Sequence, residues 1–315
     1  MIAFIFPGQG SQKVGMGKAL VEAYPEARAA FEEADAAFAD AAHPSPALSE
    51  LCFQGPEDRL TLTEIQQPAI LTVSIAAYRV LETRGVRPSL VAGHSLGEYS
   101  AHVSAGTFPL GDAVRVVRRR GRFMQEAVPV GEGAMAAILG ASLDVVRQAC
   151  EESAENEVVS PANINGQGQV VIAGHARAVQ RASARAKALG ARRVIPLSVS
   201  APFHCALMKP AEVRLEPELR ALTVQKPRMP IVANIDGTPK RDAAPAIDAL
   251  VKQVSAPVQW EAVVHCLASE GVTTYVEVGP GNVLGGMVKK IHADARIVRF
   301  GSPDDLDSVM AACSN

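Results

Sequence analysis

The sequence predicts an α/β fold, a parallel sheet covered by helices on both faces and interrupted by a smaller ferredoxin-like unit. Three observations predict it. The apolar run at 2–6 and the short strands at 89–92 and 273–278 are each followed by a Gly-containing turn, the pattern of buried strands that enter tight loops. These runs alternate with segments of helical spacing, which argues for parallel strands joined by crossover helices. Between about 130 and 198 the order changes to strand, helix, strand, strand, helix, strand, which is the β-α-β-β-α-β arrangement.

In order along the chain, Ile2-Ala3-Phe4-Ile5-Phe6 is a buried strand ending at Pro7-Gly8-Gln9-Gly10, and a helix follows near Met16. Helical spacing fits 26–41 and, after a break at Gln66-Gln67-Pro68, 69–84, where Ile70, Val73, Ala77 and Leu81 share a face. Ser89-Leu90-Val91-Ala92 is a strand, Gly93-His94-Ser95-Leu96-Gly97 a sharp turn, and Glu98 to Ser104 a helix. The inserted unit has strands at 134–139, 158–163, 169–173 and 192–198 and helices at 142–155 and 175–189. The α/β pattern then resumes with a strand at 230–234, helices near 243–254 and 259–270, a strand at 273–278, the turn Gly279-Pro280-Gly281 and a strand near 296–300. Pro/Gly-containing joints at Pro129-Val130-Gly131 and Ala201-Pro202 are the seams. They divide the chain into a discontinuous large domain, 1–128 and 200–315, and a small subdomain, 129–199.

With 315 residues, the chain buries a core that needs no disulfide or metal support, and it is expected to fold alone as a monomer. Its 31 basic and 33 acidic residues give a net charge of −2, so no basic field is available for nucleic acid or an anionic membrane. Five cysteines, Cys52, Cys150, Cys205, Cys266 and Cys313, lie apart without a CxxC pair and read as reduced, structural thiols. Met1 leads directly into the first strand with neither a basic leader nor a long apolar run, and a cytoplasmic location is expected.

Gly93-His94-Ser95-Leu96-Gly97 matches the nucleophile elbow G-x-S-x-G of α/β-hydrolase-like sheets. Its small residues let a strand turn steeply into a helix, whose first N–H groups then face a developing oxyanion. The plain alternative is a strand-helix turn with a capping serine. A serine hydroxyl needs a base at neutral pH, and the sequence holds seven histidines. His94 adjoins the serine in a tight turn and suits a supporting hydrogen bond, while His102 lies seven residues along the same helix. His43, His175, His265 and His292 carry no local chemical signature. His204 differs, since it follows Ala201-Pro202-Phe203 where the chain leaves the inserted unit; spacing alone does not choose between base and bland residue.

An esterase triad in the order Ser, acid, His requires an acid between 95 and 204. The only aspartates there, Asp112 and Asp144, sit at helix starts, which weakens a hydrolase reading. Gly8-Gln9-Gly10-Ser11-Gln12 lacks the third glycine of a dinucleotide loop, because Lys13 stands in its place. It is either a plain turn or a loop whose Gln9 amide reaches the same sheet edge as Ser95. Arg118-Arg119-Arg120-Gly121-Arg122 is by default a solvated helix face. One buried member would instead pair with a substrate carboxylate, and the pattern does not say which.

Taken together, Gly8-Gln9-Gly10-Ser11-Gln12, Gly93-His94-Ser95-Leu96-Gly97-Glu98, Arg120-Gly121, Ala162-Asn163-Ile164-Asn165, Pro202-Phe203-His204 and Glu277-Val278-Gly279-Pro280-Gly281 resemble the malonyl-CoA:acyl carrier protein transacylases of bacterial type II fatty acid synthesis. The resemblance covers nearly the whole chain, inserted unit included. It implies ping-pong chemistry: malonyl-CoA acylates Ser95, His204 takes its proton, and the phosphopantetheine thiol of acyl carrier protein then attacks the malonyl-serine. It also implies that the backbone carbonyl of Gln253 orients His204 in place of a carboxylate. The N–H groups of Gln9 and Leu96 would form the oxyanion hole and Arg120 would hold the malonyl carboxylate. His94, Asn163 and Phe203 would support the site, with Phe203 selecting malonyl over the bulkier methylmalonyl. No metal and no permanently bound cofactor are expected. Val254-Ser255-Ala256-Pro257 departs from the pattern, where many relatives carry asparagine before the proline. A polyketide acyltransferase would carry the same motifs. A serine hydrolase would accept water in place of a thiol, and a binding module would form no covalent adduct.

Overall fold

The computed structural model describes residues 1–39 and 45–313, and among these ten strands form two sheets. In chain order they are β1 (Ile2–Phe6), β2 (Leu90–Gly93), β3 (Gly133–Leu139), β4 (Val159–Ile164), β5 (Gln169–His175), β6 (Arg193–Pro196), β7 (Ile231–Val232), β8 (Pro239–Lys240), β9 (Thr274–Val278) and β10 (Arg296–Phe300). The large sheet has the order β10-β9-β1-β2-β7-β8. Every pairing in it is parallel except that of the short edge strand β8.

β1 explains why the first strand reads as a continuous apolar run. Phe4 and Phe6 point into a core shared with helices Pro25–Phe38, Thr63–Thr83 and Leu110–Glu126, whereas Ala3 and Ile5 point into a second core with Trp260, Val264, Leu284 and Val288. A strand buried on both faces has no polar side to alternate with. Full burial of each such large side chain contributes roughly 1.5–3 kcal/mol, so both faces hold β1 in register. Phe6 stands opposite Gly93 of β2. The loops after these two strands therefore open at one edge of the sheet, where ligands of parallel sheets gather.

The inserted unit forms its own antiparallel sheet in the order β4-β5-β3-β6. Its helices Leu143–Ala154 and Ala176–Ala188 cover one face, with Ile138, Val146, Ile172 and Val179 between them. The other face, through Met135, Ala137, Val171 and Ala173, joins the core of the large sheet. The result is a parallel-rich α/β fold with a ferredoxin-like unit seated against it.

Two expectations need correction. The break at Gln66-Gln67-Pro68 does not exist, because one helix runs Thr63–Thr83 with Pro68 inside it. Proline there removes one backbone donor, yet most of this helix is buried and tertiary packing outweighs the local cost. The helix expected over 26–41 is Pro25–Phe38; positions 40–41 lie outside the described residues, as does His43. The helices Lys209–Arg220 and Val283–Ile291 had no sequence signal strong enough to predict them. The first carries Pro210 near its start and Pro217 inside. Among the described residues no helix is long and apolar enough to cross a membrane.

Candidate active site

Ser95 has φ 52° and ψ −105°, a conformation that L-residues rarely adopt, and it immediately precedes the helix Leu96–Ser104. Two glycines make this turn possible. A Cβ at Gly93 would lie 2.0 Å from the carbonyl of Gly97, and a Cβ at Gly97 would lie 2.0 Å from the carbonyl oxygen of Phe6. The strand end, the turn and the first helical residues are thus in backbone contact, with room for hydrogen alone. Gly8 plays the same part for the neighbouring loop, since a Cβ there would meet the His94 carbonyl oxygen at 2.5 Å. Asn234, just beyond β7, holds the strained turn: its Oδ1 accepts from the Ser95 N–H at 2.7 Å and its Nδ2 donates to the Gly93 carbonyl at 2.7 Å.

His204 also has a positive φ, 60°. Its Nε2 lies 2.7 Å from Ser95 Oγ, and its Nδ1 lies 2.9 Å from the backbone oxygen of Gln253. A carbonyl only accepts, so Nδ1 carries the proton and Nε2 is left as the acceptor for the serine hydroxyl. Burial, with the charge of Arg120 acting in the same direction, pushes His204 down to about 3. The imidazole is therefore neutral at pH 7, the state a general base requires.

Of the four clustered arginines, the fold buries one. Arg118 lies over the Phe38 ring and donates to the Phe38 carbonyl, Arg119 pairs with Glu218, and Arg122 lies 3.8 Å from Glu126. Arg120 is 0% exposed. Gly121 beside it lets its helix approach the start of Thr63–Thr83, because a Cβ there would meet the Thr63 oxygen at 2.5 Å. The Arg120 guanidinium donates to Gln67 Oε1 at 2.8 Å, to Gln253 Oε1 at 3.0 Å and to Ser95 Oγ at 3.2 Å. Among the described residues it has no carboxylate in ion-pair contact. Burial lowers its pKa from the usual arginine value. A fully buried cation held only by neutral groups is a place prepared for an anion.

Amide side chains tie these groups together. The Gln253 Nε2 donates to the Ser95 carbonyl and to Glu98 Oε2, both at 2.8 Å, while its Oε1 faces Arg120. Gln67 Nε2 donates to Gln9 Oε1 at 3.2 Å, and Gln9 Nε2 donates to Gln66 Oε1 at 2.6 Å. The Gln9 side-chain amide is thus engaged, which leaves its backbone N–H as the group to face a ligand. Leu96 is the first residue of its helix, and its N–H has no carbonyl within that helix to bond.

A cleft of about 690 Å³ is lined by Gln9, His94, Ser95, Asn163, Phe203 and His204, with the partly exposed Leu62 and Val199 also on its wall. Arg120, Leu96 and Gln253 lie beneath it. His94 supports from the side: its Nε2 is 2.9 Å from Asn165 Oδ1 and its ring packs at 5.5 Å from that of Trp260. His102 does not join the site. It is buried, stacked on Phe108 at 5.3 Å and pushed down to about 3 by desolvation. His175 accepts from the Val158 N–H and His292 meets the Tyr275 hydroxyl, both away from the cleft. At the departure Val254-Ser255-Ala256-Pro257, the Ser255 hydroxyl bonds Glu212, and the Gln253 carbonyl still reaches His204.

Sequence reasoning missed Asn234, Glu98 and Gln67. Each had a signal of one kind, a polar residue where an apolar one is expected: at the end of a buried strand, within the buried elbow helix, and among the buried residues of Thr63–Thr83.

Comparison with known proteins fits this geometry. Residues 3–299 match the family described as acyl transferase domain. A malonyl CoA-acyl carrier protein transacylase of Salmonella typhimurium is 52% identical over 290 residues, 92% of each chain. The solved transacylase of that name from Coxiella burnetii superposes with a TM-score of 0.95 at 38% identity, covering 100% of this chain and 98% of that one. A malonyl-transacylase solved in complex with a type II PKS acyl-carrier protein superposes at 0.94 with 42% identity, covering 100% and 99%. With a serine, a neutral histidine and a buried guanidinium that has no ion-pair partner among the described residues gathered at one cleft, and similarity running the length of the fold, the chain belongs to the acyltransferase family that these malonyl CoA-acyl carrier protein transacylases represent.

Proposed function

We propose that this protein transfers a malonyl group from malonyl-CoA to the phosphopantetheine thiol of acyl carrier protein through a malonyl-Ser95 intermediate, supplying fatty acid elongation. One observation carries the reading: Ser95 Oγ stands 2.7 Å from a neutral imidazole and 3.2 Å from a buried guanidinium that has no ion-pair partner among the described residues. His204 Nε2 takes the hydroxyl proton as Oγ attacks the thioester carbonyl, and the N–H groups of Gln9 and Leu96 receive the developing oxyanion. Collapse breaks the C–S bond, and the proton passes from His204 to the departing CoA sulfur. The carrier thiol repeats the sequence in reverse, giving its proton to His204 and returning Ser95 to its free form.

A malonyl group carries its carboxylate one methylene beyond the carbonyl, so an acyl chain attached to Oγ begins beside Arg120. Phe203 on the cleft wall favours malonyl over methylmalonyl, and Asn163 and His94 line the same cleft. The site contains every group this reaction uses, so no resident cofactor is required. The protein is taken as a cytoplasmic monomer, with a division into 1–128 plus 200–315 and 129–199 supported by the separate four-stranded sheet. The likeness to a carrier complex of polyketide type favours a second acceptor, and transfer to both carriers side by side separates the two roles. Intact mass after mixing with malonyl-CoA is expected to show one malonyl adduct that is absent in Ser95→Ala. An adduct that persists in that variant places the nucleophile elsewhere.

A further inference from the structure

Glu98 is 0% exposed and sits one turn into the helix that Ser95 begins. Its Oε2 accepts from the Asn234 N–H at 3.0 Å and from Gln253 Nε2 at 2.8 Å, while its Oε1 is buried without a partner. Asn234 is the residue that clamps the elbow, and Gln253 is the residue whose carbonyl orients His204 and whose Oε1 meets Arg120 at 3.0 Å. The Gln253 amide is saturated, with both hydrogens on acceptors and its oxygen on a cation. Its orientation therefore transmits the state of Glu98 to Arg120. We propose that Glu98 is a positioning residue whose negative charge, relayed through Gln253, balances Arg120 in the acyl-free enzyme and is discharged by proton uptake when an acyl carboxylate occupies Arg120.

The charged neighbours set the direction. Desolvation, aided by Asp236, pushes Glu98 upward, Gln253, the Asn234 N–H and Arg120 pull it back, and the balance leaves it raised to about 7. Tyr99, on the same helix, holds its ring 5.3 Å from the Arg120 guanidinium and has its own pKa raised to about 12, so it stays neutral. The hydrogen bonds from Gln253 and Asn234 favour the ionised form most, and Arg120 adds the positive charge that a substrate would cancel. A substrate carboxylate paired with Arg120 neutralises that cation, and a second buried negative charge close by becomes unfavourable. Glu98 answers by accepting a proton from solvent. The orphan Oε1 is the atom that would carry this proton, since Oε2 already accepts two hydrogen bonds.

The inference rests on the malonyl reading and makes a prediction separate from it. Acylation itself balances without a free proton: the C–S bond breaks, the C–O bond to Ser95 forms, and the serine proton ends on the CoA thiol. Any proton consumed per malonyl-enzyme, once the partial ionisation of that thiol is allowed for, therefore reports a protein group. The test mixes the enzyme with malonyl-CoA in weakly buffered indicator dye, scoring adduct by intact mass. At about pH 7.5, above the value for Glu98, the wild type is expected to take up a measurable fraction of a proton per adduct, and at about pH 6 close to none. Glu98→Gln mimics the protonated acid, still accepts from Asn234 and Gln253, and is expected to form adduct without the uptake. The wild type is expected to show a malonyl-to-acetyl kcat/KM ratio that declines as pH rises above about 7, and Glu98→Gln is expected to remove that decline.

Adduct in the wild type with no uptake at about pH 7.5 overturns the proposal even if the variant does not fold. Equal uptake by wild type and Glu98→Gln overturns it as well. Absence of any adduct removes the malonyl reading, and this inference with it.

Discussion

Arg120→Ala is the perturbation that best separates substrate recognition from general chemistry. In the intact site the guanidinium lies 3.2 Å from Ser95 Oγ and is held in place by Gln67 and Gln253. A malonyl carboxylate carried on Oγ meets it with the two-pronged geometry that arginine and carboxylate share. Two charge-assisted hydrogen bonds, at roughly 1.5–2.5 kcal/mol each, give a loss of about 3–5 kcal/mol in malonyl transfer. At 1.36 kcal/mol per decade this is about 10² to nearly 10⁴ in kcat/KM. The variant also leaves Gln67 Oε1 and Gln253 Oε1 without their donor, a disturbance felt by every substrate. That shared part cancels in the ratio of malonyl to acetyl rates. Acetyl loses no carboxylate contact and no longer has to leave a buried cation unpaired, so the ratio is expected to fall by at least about 10². Rates of adduct formation from malonyl-CoA and acetyl-CoA, measured on variant protein with a cooperative thermal transition, decide the matter. Equal losses for both acyl groups would refute the carboxylate role.

Two further outcomes are expected. His204 acts in its neutral form, which is lost as pH falls through its folded value; burial and Arg120 hold that value near 3, so Ser95 phosphonylation by a fluorophosphonate should persist well below the usual histidine value of about 6.5, and Arg120→Ala should move the acid limb upward without reaching it. A wild-type limb at or above about 6.5 contradicts the burial argument. Gly97→Ala would bring a Cβ to within 2.0 Å of the Phe6 carbonyl oxygen, with backbone on both sides of the clash, and should cost roughly 3 kcal/mol or more; an unchanged denaturation midpoint would show that the elbow relaxes freely.

The elbow and the inserted unit were legible because their causes are local. Gly93 and Gly97 are required by contacts within a few residues of Ser95 and with the adjacent strand, and the ferredoxin-like order is written in short alternating runs. Gly121 has no local signature beyond its place after Arg120, since its cause is the crossing of two helices far apart in sequence. The same holds for Arg120. Nothing near it distinguishes it from Arg119, and only helical periodicity read against the position of the facing helix shows which side chain is enclosed. Gln66-Gln67-Pro68 lies inside one helix although proline and two amides together resemble a helix break. The amides are there to face Gln9 and Arg120, and a functional requirement overrode the local rule.

The missing acid between Ser95 and His204 has a physical reason in the same geometry. A carboxylate on His204 Nδ1 would orient the ring as the Gln253 carbonyl does, but it would raise the imidazole pKa and place a permanent anion near Arg120. The guanidinium would then be paired before any substrate arrived, and malonyl would have to displace that partner. A neutral carbonyl fixes the tautomer without competing for the cation. It also accounts for why the buried acid that is present, Glu98, contacts Arg120 only through the Gln253 amide. At that remove its charge steadies the guanidinium while leaving the contact position open to a substrate. One glutamine thus separates two demands that a single carboxylate would bring into conflict: orienting the base and reserving the arginine.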